Sequence, residues 1–201
     1  MKKSAVVLLL VFLCMAVSST AYAQYGRHGQ VSPPPQHAQY GQMYLFGHAG
    51  FFSPNDDDPT YSGGGLGGYD TGASFDMGLG SRVSSILAIE GAWGWMYADR
   101  GPDEVQVMPL TFGLRLIIPN PIIEPYIGAG VGMYFADIDE PGLHESDTTF
   151  GGYVSVGLDA WLNPRLALNL EGKYHFAEPD FNGIEVDVSG WTFGMGLRFV
   201  F

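Results

Sequence analysis

Apolar and polar residues alternate in steps of two along most of the chain beyond residue 41. The last run shows this most plainly: Trp191, Phe193, Met195, Leu197, Phe199 and Phe201 alternate with Gly190, Thr192, Gly194, Gly196, Arg198 and Val200. A period of two marks a strand with two different faces. An apolar face this broad, aromatic at both ends, suits a strand standing in hydrocarbon, where backbone groups are satisfied only by pairing on both sides in a closed barrel. The spacing predicts eight strands, over 42–52, 71–81, 87–99, 105–117, 124–135, 148–162, 165–176 and from 189 to the end. Each is long enough for a tilted membrane strand of roughly 9–11 residues. No segment after the first 23 residues holds a helical period. The expected fold is therefore all-β, an eight-stranded antiparallel transmembrane up-and-down β-barrel over residues 42–201.

The connections alternate in length. Turns at 82–86, 118–123 and 163–164 are short, whereas the connections after strands one, three, five and seven read as longer polar loops. Barrels of this kind place short turns in the periplasm and long loops outside, so both termini are expected in the periplasm. Most of the 21 acidic residues fall in or beside the long loops, which predicts an anionic outer mouth. Asp56, Asp57, Asp58, Asp137, Asp139 and Glu140 are candidates for sharing divalent cations with lipopolysaccharide phosphates, against plain solvation of surface loops. An EF-hand is excluded, because Pro141 and Thr148 occupy ligand positions of the loop that Asp137 would open. No resident metal is expected.

Strand parity sends Asp76, Glu90, Arg115, Asp159, Glu171, Lys173 and Arg198 inward, with Glu124 at the rim. An eight-stranded barrel is just wide enough for side chains to fill, and charges at that radius must pair. Glu90, Arg115, Glu124, Asp159 and Arg198 lie toward the same barrel end, so a single salt-bridged plug is expected there. Lys173 should balance Asp76 and Glu171 nearer the middle. The alternative is a wet lumen whose charges make no lasting contacts.

The start of the chain has its own logic. Lys2 and Lys3, an apolar run over 5–17 and the small-x-small site Ala21-Tyr22-Ala23 describe a secretory signal peptide over residues 1–23. The apolar run is too short to span a bilayer. Cys14, the one cysteine, lies within it, so the mature chain would hold no disulfide. Residues 24–41, with Pro33-Pro34-Pro35, should form a disordered periplasmic leader in which His28 and His37 are solvated. Charged residues make up only 15% of the chain, against about 25% in soluble domains. The formal charge of −12 excludes a nucleic-acid partner.

Two segments, EPYIGAGVGMYF at 124–135 and YVSVGLDAWLNPRLALNLEGKYHF at 153–176, together with the terminal aromatic, resemble the small outer-membrane β-barrel superfamily that includes the OmpA membrane domain and OmpX. The resemblance implies a monomer in the bacterial outer membrane, in contact with outer-membrane lipid and lipopolysaccharide. It also implies help from the barrel assembly machinery and periplasmic chaperones, for which Leu197, Phe199 and Phe201 resemble the C-terminal assembly signal. Some barrels of this size are lipid-modifying enzymes. In the lipid A deacylase type a serine stands two residues after the penultimate-strand histidine, but here His175 is followed by Phe176 and Ala177. The leader, with its three prolines, is not the amphipathic helix of a palmitoyltransferase type. Gly63, Gly65 and Gly68 match a dinucleotide fingerprint without the strand and helix it needs. No cofactor and no catalysis are expected. The function expected is envelope integrity or surface interaction through acidic loops above a charge-plugged lumen. The alternative is a narrow channel or porin for small solutes, cation-preferring because of its anionic mouth.

Overall fold

The computed structural model describes residues 41–55, 66, 68–140, 143–181, 184–185 and 187–201. Its strands are β1 (Met43–Pro54), β2 (Gly72–Arg82), β3 (Leu87–Arg100), β4 (Asp103–Ile117), β5 (Ile123–Glu140), β6 (Leu143–Asn163), β7 (Leu166–Phe176), β8 (Asp180–Phe181), β9 (Ile184–Glu185) and β10 (Gly190–Val200). Eight of them close an antiparallel barrel in the order β1-β10-β7-β6-β5-β4-β3-β2, while β8 and β9 form a separate small hairpin. Pairing of Tyr44 with Val200 through Pro54 with Gly190 makes the closure.

Parity decides which side chains face in. On β4, Thr111, Gly113, Arg115 and Ile117 are buried, while Leu110, Phe112, Leu114 and Leu116 between them are each more than half exposed. Aromatic residues gather on the outer surface toward the loop end, where Trp95 stacks on Tyr97 and Trp191 on Phe193. Such belts belong at a membrane–water boundary.

Three expectations about connections are corrected. The β3–β4 connection is only Gly101 and Pro102, with Gly101 at a φ of 65° that glycine tolerates. The fifth connection is largely strand, because pairing continues from Ala136 with Asp147 to Glu140 with Leu143. Arg82, assigned to a turn from sequence, is the last residue of β2 and is buried. The first two errors share a cause: beyond the hydrocarbon band, outward residues no longer need to be apolar, although the backbone ladder goes on. As a result β5 and β6 have 18 and 21 residues against 11 in β2, β7 and β10. The loop end is thus higher on the β3–β6 side.

The interior is also less polar than the glycine-rich pattern suggested. At the loop end Phe52, Leu66, Tyr69, Met96, Ala98, Val105, Val107, Tyr134, Ala136, Ala177 and Val188 form one buried apolar cluster. Leu66 and Tyr69 come from the β1–β2 connection and Ala177 and Val188 from the one before β10, so connections from the low side pack into the mouth. Tyr44, Phe46, Ala88, Ile117, Tyr126 and Val200 form a second cluster at the end that carries the short turns. Gly80 makes room there, since a Cβ on it would collide with the ring of Tyr44, its cross-strand partner.

Candidate functional site

The turn end holds a ring of four charges from four strands. Arg115 on β4 reaches Glu90 on β3 at 3.0 Å through Nη1 and Asp159 on β6 through Nη2. Arg198 on β10 reaches the same Glu90 oxygen at 3.0 Å and Asp159 at 3.2 Å. Each carboxylate lies between two guanidiniums, the arrangement that best offsets the cost of taking four charges out of water. Neutral donors complete it: the Tyr44 hydroxyl donates to Glu90 at 2.8 Å, and Asn169 Nδ2 donates to Asp159. The guanidinium of Arg198 also lies over Tyr44, 4.5 Å from the ring centroid.

Glu124 stands apart from this ring, which corrects the expected single cluster. It pairs with Arg82 and accepts from Trp161 Nε1 at 3.0 Å. Toward the middle of the barrel, Lys173 Nζ lies 3.0 Å from Asp76 and 2.9 Å from Glu171. His48 Nδ1 is 2.6 Å from the other Asp76 oxygen. The Tyr126 hydroxyl donates to Glu171 at 3.0 Å and accepts from Asn169 at 3.1 Å, linking the middle group to the turn-end ring. The sequence reading missed Arg82, Tyr44, His48, Tyr126 and Asn169. Assigning faces along β1 finds two of them, because Tyr44, Phe46 and His48 share one parity with the buried Phe52.

Between the polar middle and the apolar loop end lies a cavity of about 30 Å³ bordered by His48, Asp76, Glu171, Lys173, His175 and Thr192, among others. That is room for roughly two water molecules. Gly94 and Pro109 also border it, where the β3–β4 ladder lapses between the Trp93–Leu110 and Met96–Val107 pairs. Proline has no N–H to donate there.

The remaining sequence candidates are scattered. Asp56, Asp57 and Asp58, like Ala21 and Ala23, lie outside the described residues. Asp137, Asp139 and Glu140 belong to β5 and pair along the backbone with Ser146, His144 and Leu143, so they are strand residues and not loop residues. Leu197, Phe199 and Phe201 face outward and are about half exposed, and the Phe201 N–H donates to the Met43 carbonyl at 3.0 Å.

The profile of the outer membrane protein beta-barrel domain matches residues 6–199. The chain belongs to this family. Its barrel is similar to that of neisserial surface protein A, with a TM-score of 0.60 at 18% identity, covering 80% of this chain and 96% of that one. It is likewise similar to the N-terminal barrel of Pseudomonas aeruginosa OprF (TM-score 0.56, 10% identity, covering 81% and 100%). OprG of the same organism gives a TM-score of 0.56 at 12% identity, covering 82% and 98%. At these identities the likeness is one of fold. No curated protein matches the chain.

Membership in the outer membrane protein β-barrel family assigns the exposed apolar stripe to lipid and the charges to the lumen of a bacterial outer-membrane protein. It also frames His175. The imidazole is buried in that lumen, 3.1 Å from the Tyr134 hydroxyl and 3.3 Å from Thr192 Oγ1. A threonine–histidine contact is the beginning of a nucleophile pair. Here the histidine's other nitrogen meets a tyrosine instead of a carboxylate, and the adjoining cavity is too small for an acyl chain.

Proposed function

We propose that the protein is a non-enzymatic outer-membrane barrel with a closed lumen, which supports envelope integrity or engages surface partners through its loop end. The observation that carries this reading is the packing of both lumen ends. The apolar cluster fills the loop end, the Arg115–Glu90–Arg198–Asp159 ring fills the turn end, and the cavity between them holds about 30 Å³. In this reading residues 1–23 are removed on export, residues 24–41 lead into the barrel, and both termini and the short turns are periplasmic. The raised β5–β6 hairpin and the acidic connections then face the medium beside lipopolysaccharide, and the barrel acts as a monomer once the assembly machinery has inserted it.

The test is conductance of the refolded protein in a planar bilayer, with insertion shown separately by heat-modifiable gel mobility. Silence from inserted protein is the expected result. Discrete steps that change on neutralising Glu90 or Arg115 would overturn it in favour of a narrow channel for small solutes, and the ion selectivity of those steps would show whether the mouth prefers cations.

A further inference from the structure

The lumen charges do not balance evenly. Among the described residues the turn-end ring has two guanidiniums for two carboxylates, and Glu124 has Arg82. In the middle, Asp76 and Glu171 share the one ammonium of Lys173. The surplus negative charge therefore lies beside the cavity.

His48 lies at the same place, 5% exposed, and its Nε2 is buried with no hydrogen-bond partner among the described residues. The ring's orientation follows from its neighbours. Nδ1 faces Asp76 on β2, and Cδ2 is the ring atom nearest to where a Cβ on Gly196 of β10 would stand, at 2.8 Å. The far edge, which bears Nε2, therefore points away from the wall and into the lumen. An imidazolium at His48 would balance the charge but would leave its buried Nε2–H with no acceptor among the described side chains. A cation bound among the three side chains answers both deficits once the imidazole turns about its Cβ–Cγ bond to bring Nε2 toward the carboxylates, since it accepts the Nε2 lone pair and neutralises the second carboxylate.

From this we infer that His48, Asp76 and Glu171 form a lumenal binding site for a divalent transition-metal ion, with Lys173 as its built-in competitor. One imidazole nitrogen and one oxygen from each carboxylate lie within 4.8 Å of one another. Ligands held about 2.1 Å from one ion need to close by roughly an ångström, which side-chain rotation supplies. One imidazole nitrogen with two carboxylate oxygens suits zinc, cobalt or nickel, whereas calcium and magnesium take oxygen alone. Lys173 contacts both carboxylates and so stands where the ion would bind. Once displaced it has somewhere to go, because Nζ is already 5.1 Å from the centroid of the Tyr153 ring, whose face attracts a cation.

The experiment refolds the protein in detergent with graded Co²⁺ and reads the visible absorption of the bound ion, with heat-modifiable mobility confirming the barrel in every sample. The wild type should bind one equivalent. Lys173→Met should tighten binding by about tenfold or more, the scale on which groups next to the ligands move metal affinity. His48→Ala should abolish the signal in both backgrounds, while exposed carboxylates elsewhere stay the same. Binding that survives His48→Ala would overturn the site. Binding confined to Lys173→Met, with none in the wild type at millimolar metal, would overturn it too, since the cage would then serve the lysine alone.

Discussion

Arg115 lies over Tyr126 with its guanidinium carbon 3.4 Å from the ring centroid, while its two terminal nitrogens bond Glu90 and Asp159. Tyr126 hydrogen-bonds Glu171 and Asn169 in turn, so one stacked pair joins the turn-end ring to the middle of the lumen. Replacing Arg115 with Met keeps much of the volume but leaves Asp159, fully buried, with Arg198 as its one described cation beside the neutral Asn169 amide. Breaking a buried pair from one side costs about 3–5 kcal/mol. A urea titration followed by gel mobility should show the midpoint of Arg115→Met falling accordingly. Restoring electroneutrality with Arg115→Met/Asp159→Asn should recover a large part of the loss. An unchanged midpoint in the single variant would mean that water already screens these charges.

The match of Tyr44 to Gly80 gives a second prediction. A methyl group on Gly80 meets the Tyr44 ring, and the ring cannot move without leaving Glu90. Gly80→Ala should therefore destabilise the barrel by about 1–3 kcal/mol, and Tyr44→Leu should be costly by itself. The double variant should be less unstable than the sum, with a coupling of about 0.5–3 kcal/mol. Strict additivity would show that the ring finds another place.

How much of this was legible beforehand depended on where the membrane imposes its pattern. Within the hydrocarbon band lipid forces outward residues to be apolar, so the faces of β3, β4 and β10 and the inward set from Asp76 to Arg198 followed from parity alone. Past the band that constraint ends. Residues 136–140 and 143–147 then read as a polar loop although their backbones pair. Side-chain partners were harder still. Parity placed Glu124 inside, but which cation it meets depends on barrel stagger, which brings Arg82 to it from a strand not adjacent to β5. The apolar lining of the loop end was hidden for a similar reason, since Leu66 and Val188 lie in connections that show no strand period.

Leu66 provides a test of that lining. It is 2% exposed and reaches the apolar cluster from the β1–β2 connection. Leu66→Ala removes a fully buried side chain, a change that costs about 2–5 kcal/mol in a tight core and less where the site can collapse. The loss should appear locally, because the barrel's own ladder is untouched. Proteinase K should cut the connection between β1 and β2 faster in Leu66→Ala, while the heat-modifiable core fragment persists. Equal cutting in variant and wild type would show that the connection is not held by this contact.

Phe201 separates assembly from stability. The residue is 62% exposed with its ring on the lipid side, and its one described hydrogen bond is made by the backbone N–H to Met43. Removing the ring leaves that bond and every lumen contact in place. Surface changes of this kind usually shift stability by no more than about 0.5 kcal/mol. Phe201→Ala refolded in detergent should therefore match the wild type in urea midpoint. If the terminal aromatic is instead read during insertion, the same variant should reach the outer membrane poorly in cells, with heat-modifiable protein in the envelope fraction reduced several-fold and unfolded precursor accumulating. A variant that inserts normally in cells would remove Phe201 from the assembly signal and leave Leu197 and Phe199 to carry it. A variant that fails in detergent as well would make the ring structural.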